Sequence, residues 1–402
     1  MPVKAAETTD ASHVFVPTIG FRRGTTRTLV KRAETTQDGT RLIVRAVAAA
    51  QDKTEVLVEW ERTGDPAACA PGSQLLVYTN MAPLEKGIAA VLVAGATTVK
   101  ANTMAQRAFH VSHQTIGAIH TMTFPPLLVA VSDAELVVSE NSHEWRVPLK
   151  LRPAPVTATA VTAKMARDGV VIRAIALARY EGELIIQLEV EGERQIRQVG
   201  APLHSGVNFS VDNEEIRRAR RASIRQVMGD RARPITLEDA RGVRYEEVRR
   251  VFDLEGQQAG PGQPFINRFA VVFEGPVATT TSATLVVPFV DISDPEGSVT
   301  ADLRQVPLDI KVGSHLFHVQ SAELIATDRR RVIIEAKPSP WPPRFRHPAF
   351  MHGADPTEST WPNGGPGEQV AFDAAVDEPP VVTFKGAIFR VDGPIRLELP
   401  LV

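Results

Sequence analysis

Apolar and polar positions alternate with a period of two along a stretch that recurs in the chain. In residues 39–64, Val56, Val58 and Trp60 fall on one face of an extended segment, and Glu59 and Glu61 fall on the other. That is the pattern of a strand with one face on a core and one toward solvent. Leu184, Ile186 and Leu188 repeat it, and Val332, Ile334 and Ala336 repeat it again. Burying each large apolar side chain contributes about 1.5–3 kcal/mol, so the pattern sets register as well as composition. A one-residue slip would drive Glu59, Gln187 and Glu335 inward.

The identities follow the same rhythm. Val44-Arg45-Ala46-Val47-Ala48 returns as Ile172-Arg173-Ala174-Ile175-Ala176, and Val56-Leu57-Val58-Glu59 returns as Val332-Ile333-Ile334-Glu335. Asp38-Gly39 is a tight-turn dipeptide between alternating segments. Each copy ends on a similar strand: Trp145-Arg146-Val147-Pro148-Leu149, Leu285-Val286-Val287-Pro288-Phe289 and Leu397-Glu398-Leu399-Pro400-Leu401. Proline cannot donate to a ladder, so Pro148, Pro288 and Pro400 are expected at strand edges or exits. Many short strands separated by turn residues, without sustained helical spacing, predict an all-β chain of β-sandwich or barrel type.

The organisation expected from the repeat is three tandem immunoglobulin-like β-sandwich domains at residues 25–153, 154–303 and 304–402. Arg152-Pro153-Ala154-Pro155 and residues 302–307 are read as the linkers. Residues 1–24 form a tail or a docking strand, with Val14-Phe15-Val16 as their one apolar run. Two insertions break the rhythm. Residues 212–228 read as a short helix in the second domain, with Asp212 or Asn213 as cap and Glu214 and Glu215 suiting its N-terminus. Residues 338–367 carry eight prolines interleaved with Trp341, Phe345, Phe350 and Trp361, and read as a loop unsuited to a helix or a central strand.

After the helix, residues 235–245 hold the pattern Leu237-x-Asp239-x-x-Gly242-x-x-Tyr245, followed by the strands at 269–273 and 285–289. This resembles bacterial telokin-like immunoglobulin-like domains, found in lipoprotein and anti-sigma-factor ectodomains. The resemblance is fullest over 160–292, then over 30–150, then over 305–402. It implies that Asp239 and Gly242 shape a turn on which Tyr245 packs, and it carries no catalytic residues.

Composition narrows the functional classes. A net charge of −2 over 402 residues gives no chain-wide attraction to nucleic acid or to an anionic membrane. Lone Cys69 allows no internal disulfide and no cysteine-rich metal knuckle. No apolar window is long enough for a membrane helix. The N-terminus has no secretory core, which implies the cytoplasm if the chain is complete and the cell exterior if it was trimmed.

Candidate chemistry is sparse. His110, His113 and His120 form the densest histidine group. They would serve a metal-dependent hydrolase only if they converged, and His110 and His113 point to opposite faces of a strand. His315 and His318 meet the same objection. Residues 212–250 hold eleven Arg against eight acids. Arg217, Arg218, Arg220, Arg221 and Arg225 can face phosphates or an acidic partner, although a solvated face is the plainer reading. The Pro/aromatic stretch offers Trp341, Phe345, Phe350 and Trp361 as contact anchors, or as stacking faces for a carbohydrate.

The expected function is therefore a non-enzymatic structural or interaction protein. It needs no cofactor and presents loops and strand edges to a protein partner or to itself. Carbohydrate binding and metal-dependent hydrolysis are the alternatives.

Overall fold

The computed structural model describes residues 13–16, 19–63, 80–82, 88–111, 115–127, 131–140, 143–154, 158–200, 222, 233–253, 263–274, 282–326, 329–336, 345–351, 369–375 and 379–401. The chain is all-β, and its sheets pack in sandwich fashion around three main cores among the described residues.

A hairpin leads, formed by β1 (His13–Val16) and β2 (Gly20–Arg23). The first sandwich follows: β3 (Thr25–Leu29), β4 (Ala33–Gln37), β5 (Thr40–Ala50), β6 (Thr54–Thr63), β7 (Asn80–Ala82), β8 (Ile88–Ala94), β9 (Thr97–Lys100), β10 (Thr103–Val111), β11 (Thr115–Phe124), β12 (Asp133–Glu140) and β13 (His143–Pro153). In one sheet β3 and β4 both pair with β5, and β6, β11, β10 and β7 follow; the other sheet runs β13–β12–β8–β9. β13 joins the two, pairing first with β12 and then, at Leu151–Pro153, with β3. Asp38 and Gly39 both have positive φ, 50° and 73°, as a two-residue hairpin turn requires. Leu42, Val44, Val56, Val58 and Trp60 meet Leu92, Leu136, Val138, Trp145 and Val147 between the sheets.

The second sandwich uses β14 (Thr159–Arg167), β15 (Val170–Tyr180), β16 (Glu183–Gly192), β17 (Gln195–Val199), β18 (Thr236–Asp239), β19 (Arg244–Asp253), β20 (Phe265–Glu274) and β21 (Ser282–Asp302). Sheet order is β14–β15–β16–β20–β19 on one side, while β17 and β18 both pair with β21 on the other. The third adds β22 (Leu308–Val312), β23 (His315–Ala326), β24 (Arg329–Ala336), β25 (Phe345–Met351), β26 (Gln369–Ala375) and β27 (Val381–Pro400).

β21 and β27 pair over nearly their whole length. At 3.3–3.4 Å per residue, such a ladder runs roughly 60–70 Å, less the curvature of its two register shifts. Its two halves serve different cores. Val299 and Ala301 of β21, with Val382, Phe384 and Phe389 of β27, line the third core; Leu285 and Val287, with Ile395, Leu397 and Leu399, line the second. The expected boundary at 303/304 is therefore crossed. Residues 391–401 close the second core, and the third is built on a long excursion between β21 and β27. By strand order and by burial, Leu397–Leu401 is the counterpart of Trp145–Leu149, with every second side chain buried.

Other expectations are corrected in the same way. Arg152 and Pro153 lie inside β13, and Leu303 begins a 3₁₀ turn with its side chain buried in the third core, so neither segment is a free linker. Residues 345–351, expected within a loop, form an edge strand on β27 with a register shift after Pro348, a position where proline is tolerated. The inward sets stand as read, because Val56, Val58, Trp60, Leu184, Ile186, Leu188, Val332 and Ile334 all lie in cores. The opposite face does not stand as read. Glu59 and Gln187 are also buried, because a further element covers the outer faces of the first two sandwiches.

Candidate interaction surfaces

That element is the β1–β2 hairpin. Val14-Phe15-Val16 is apolar at every position because both of its faces are covered. Period-two alternation then divides the side chains. Val14, Val16 and Ile19 pack on Ala46, Ala48, Leu57 and Ile119 of the first sandwich. Phe15 and Phe21, with ring centroids 5.3 Å apart, pack on Ala176, Ala178, Ile185, Val251, Ala270 and Val272 of the second. The recurring alanines of β5 and β15 give shallow seats that let the hairpin backbone approach closely. Gly20, at φ 101°, lies so near Val251 that a Cβ there would sit 3.3 Å from its Cγ1.

Charges under the hairpin are paired. Arg22 bonds Glu55, with about 6% of each side chain exposed, and Arg45 bonds Glu59, which is wholly buried. Arg45 is the extra residue of a bulge in β5. Its aligned counterpart Arg173 donates to Glu189 at 2.9 Å and also meets Glu191. In the second sandwich Glu247 receives Arg250 through two bonds of 2.5 and 2.6 Å and accepts from the Ile235 amide at 2.9 Å. At the joint with the third core, Arg390 grips Asp291 by two bonds of 2.8 Å and lies over the Phe289 ring.

The 237–245 motif closes into a tight turn. Asp239 Oδ1 accepts from the amides of Arg241 and Val243, both at 2.9 Å, and Oδ2 accepts from the Arg241 guanidinium and the Tyr245 hydroxyl. Gly242 has φ 80° and its amide donates to the Asp239 carbonyl. Leu237 lies in the second core, with Tyr245 packed against it. Burial opposes the Asp239 charge, but the bonds from Arg241 and the two amides outweigh it and hold its pKa below the usual carboxylate value.

The sequence-predicted site residues fare unevenly. Arg217, Arg218, Arg220, Arg221, Arg225, His113, Cys69, Trp341 and Trp361 lie outside the described residues, as does the expected helix apart from Ala222. Phe345 and Phe350 are on β25, placed at the sheet edge by its pairing with β27. His110 stands opposite Gly117, three residues along β11 from His120. His120 is buried in line with Met122 on the core side of the sheet, its Nδ1 without a partner, and burial lowers its pKa to about 4. His315 packs edge-on to Phe389, and His318 Nδ1 bonds Asp309 Oδ1 at 2.6 Å. Among the described residues no three potential metal ligands come together, and no helix is long and apolar enough to cross a membrane.

Sequence reasoning missed one surface. β22 pairs with β23 only as far as Val319; the 3₁₀ turn Leu303–Gln305 that precedes β22 lies against β23, and no described strand pairs with that edge over residues 321–326. That edge carries Leu324 and Ile325 at 62% and 43% exposed, and Leu316 on the same strand is 43% exposed. The run Ala322-Glu323-Leu324-Ile325-Ala326, apolar with a single charge, was the signal available.

No protein-family model and no curated protein matches the chain. Among solved structures it is similar to the crystal structure of the conserved domain protein from Bacillus anthracis. The TM-score is 0.31 and the identity 9%, over 68% of this chain and 81% of that one. A likeness that weak carries no argument about fold or function.

Proposed function

We propose that the protein is a non-enzymatic scaffold that holds its sandwiches in fixed relation and presents loops and strand edges to a macromolecular partner. One observation carries this reading: both joints are built of buried structure. The hairpin's apolar side chains are shared between the first and second sandwiches, and the β21–β27 ladder is common to the second and third cores. Domains joined only by linkers would be expected to move relative to one another; shared cores and a shared ladder oppose that motion.

We further propose that the cores derive from one immunoglobulin-like module of the telokin-like kind, in tandem, with residues 212–228 as a helical insertion. The closed Asp239 turn supports this, as does the formation of hairpins by both aligned segments, β5–β6 and β15–β16.

Double electron–electron resonance tests the scaffold on the full chain with Cys69→Ser. Spin labels at Lys100→Cys and Arg244→Cys report the first joint, and labels at Arg244→Cys and Lys311→Cys the second. Both pairs should give narrow distance distributions. Adding Phe15→Asp and Phe21→Asp should broaden the first pair and leave the second narrow. Broad distributions in the unaltered chain would overturn the reading.

A further inference from the structure

We propose that the outer face over β17 and the middle of β21 docks an acidic segment of a partner protein, whose carboxylates Arg197 and Arg233 receive. This rests on the scaffold reading and names the chemistry of a partner for one of its faces.

The face follows from strand periodicity. Val287, Val290 and Ile292 of β21 pack on the second core, so Phe289, Asp291 and Ser293 stand on the opposite side. All three are buried there as well, because arginine side chains lie over them. Arg390 takes both carboxylate oxygens of Asp291 and covers the Phe289 ring at 3.8 Å. Arg197, the extra residue of a bulge in β17, donates from Nε to Ser293 Oγ at 3.1 Å. Arg233 lies 5.4 Å from the centre of the Phe289 ring and donates to the Pro288 carbonyl oxygen at 3.3 Å.

Charge divides these arginines. Asp291 is taken up by Arg390, whereas Arg197 and Arg233 have no acidic partner among the described residues. Asp392, exposed on β27 opposite Phe289, pairs with neither. A hydroxyl, a carbonyl and a ring hold the two guanidinium groups in place. Each keeps most of its five donors for a ligand and has already given up part of its rotamer freedom. Shielding of part of the Arg197 group lowers its pKa, and no acid offsets that; a bound carboxylate would.

Spacing points to an extended acidic segment. Gly200 donates its amide to the Phe289 carbonyl, and a Cβ on it would sit 3.1 Å from the Arg233 carbonyl oxygen. Arg197 is three residues back along the chain, so the two arginine backbones stand on the order of 10 Å apart. That span suits carboxylates roughly two to four residues apart on an extended chain, each gripped by a planar fork. A nucleic acid fits less well, since two uncompensated charges release only about two counterions and Asp392 stands exposed on the same face.

Fluorescence anisotropy on the full chain tests this, with a labelled peptide of about ten residues carrying spaced glutamates as the probe. At about 20 mM salt it should bind saturably, with a dissociation constant on the order of 0.1 mM, and about 300 mM salt should weaken it. Arg197→Gln and Arg233→Gln should each weaken binding about fivefold. Both side chains are exposed, so both variants should keep the thermal midpoint of the unaltered chain. Arg244→Gln, exposed elsewhere on the same sandwich, should leave binding unchanged. The same peptide with glutamine for glutamate should not bind, and an oligothymidylate of equal length should bind more weakly. No saturable binding overturns the proposal, as does binding that survives both substitutions or falls equally with Arg244→Gln. Tighter binding of the oligothymidylate would overturn the choice of a protein partner. Absent peptide binding with narrow spin-label distances removes this inference alone, whereas broad distances remove the scaffold itself.

Discussion

Arg45 and Glu59 form a pair that a half-buried sheet would leave in water and that the hairpin instead seals. Removing one partner of a sealed pair strands the other, at a typical cost of about 3–5 kcal/mol. Glu59→Ala should therefore lower stability by about that amount in urea unfolding. Arg45→Met with Glu59→Leu should recover most of it, since shape-filling apolar groups need no counter-charge. A surface pair such as Lys150–Asp133, both well exposed, should barely register when broken.

His120 ties stability to pH. Its folded pKa of about 4 lies below the ordinary 6.5, so as acid is added the unfolded chain takes up the proton first. The contribution is complete above pH 6.5 and is lost as pH falls toward 4, amounting to on the order of 3 kcal/mol. His120→Leu should flatten that part of the stability profile relative to the unaltered chain. Parallel profiles would show that the ring is hydrated in solution.

At the scale of elements, the sequence made the inward faces legible because period-two alternation is a local property. Val56, Val58 and Trp60 announce their face whatever lies beyond. What covers the other face is not local, and nothing near Glu59 signals that residues 13–23 return over it. The all-apolar triplet Val14-Phe15-Val16 carried the hint, since a strand exposed on one side rarely spends three bulky residues in a row. The Asp239 turn was legible for the opposite reason: all of its bonds lie within seven residues. Candidate sites were the least legible, because arginine and proline runs state composition and leave placement open.

Gly393 shows a demand of the same non-local kind. A Cβ there would run into the carbonyl oxygens of Val287 and Pro288 on the neighbouring strand. Gly393→Ala should therefore cost about 1–3 kcal/mol, read as a lowered urea midpoint, although its φ is not positive.

For the whole molecule, the second core depends on residues more than two hundred positions from its first strand. Leu397 and Leu399 lie in it beside Val170 and Ile172. Leu397→Asp should therefore abolish slow amide exchange at Leu188 and Val271 while Val56 and Val58 in the first core keep theirs. Equal loss in both cores would mean that the hairpin makes the first two sandwiches one cooperative unit.

Ribosomes build chains from the N-terminus, and this topology sets an order on that process. The first sandwich has all its strands once β13 has emerged. The second must wait, its interior open along the place reserved for the last half of β27, while the whole third core is made. Nascent chains halted between residues 303 and 380 should carry that gap exposed, and during translation it is there that a chaperone would find its binding site.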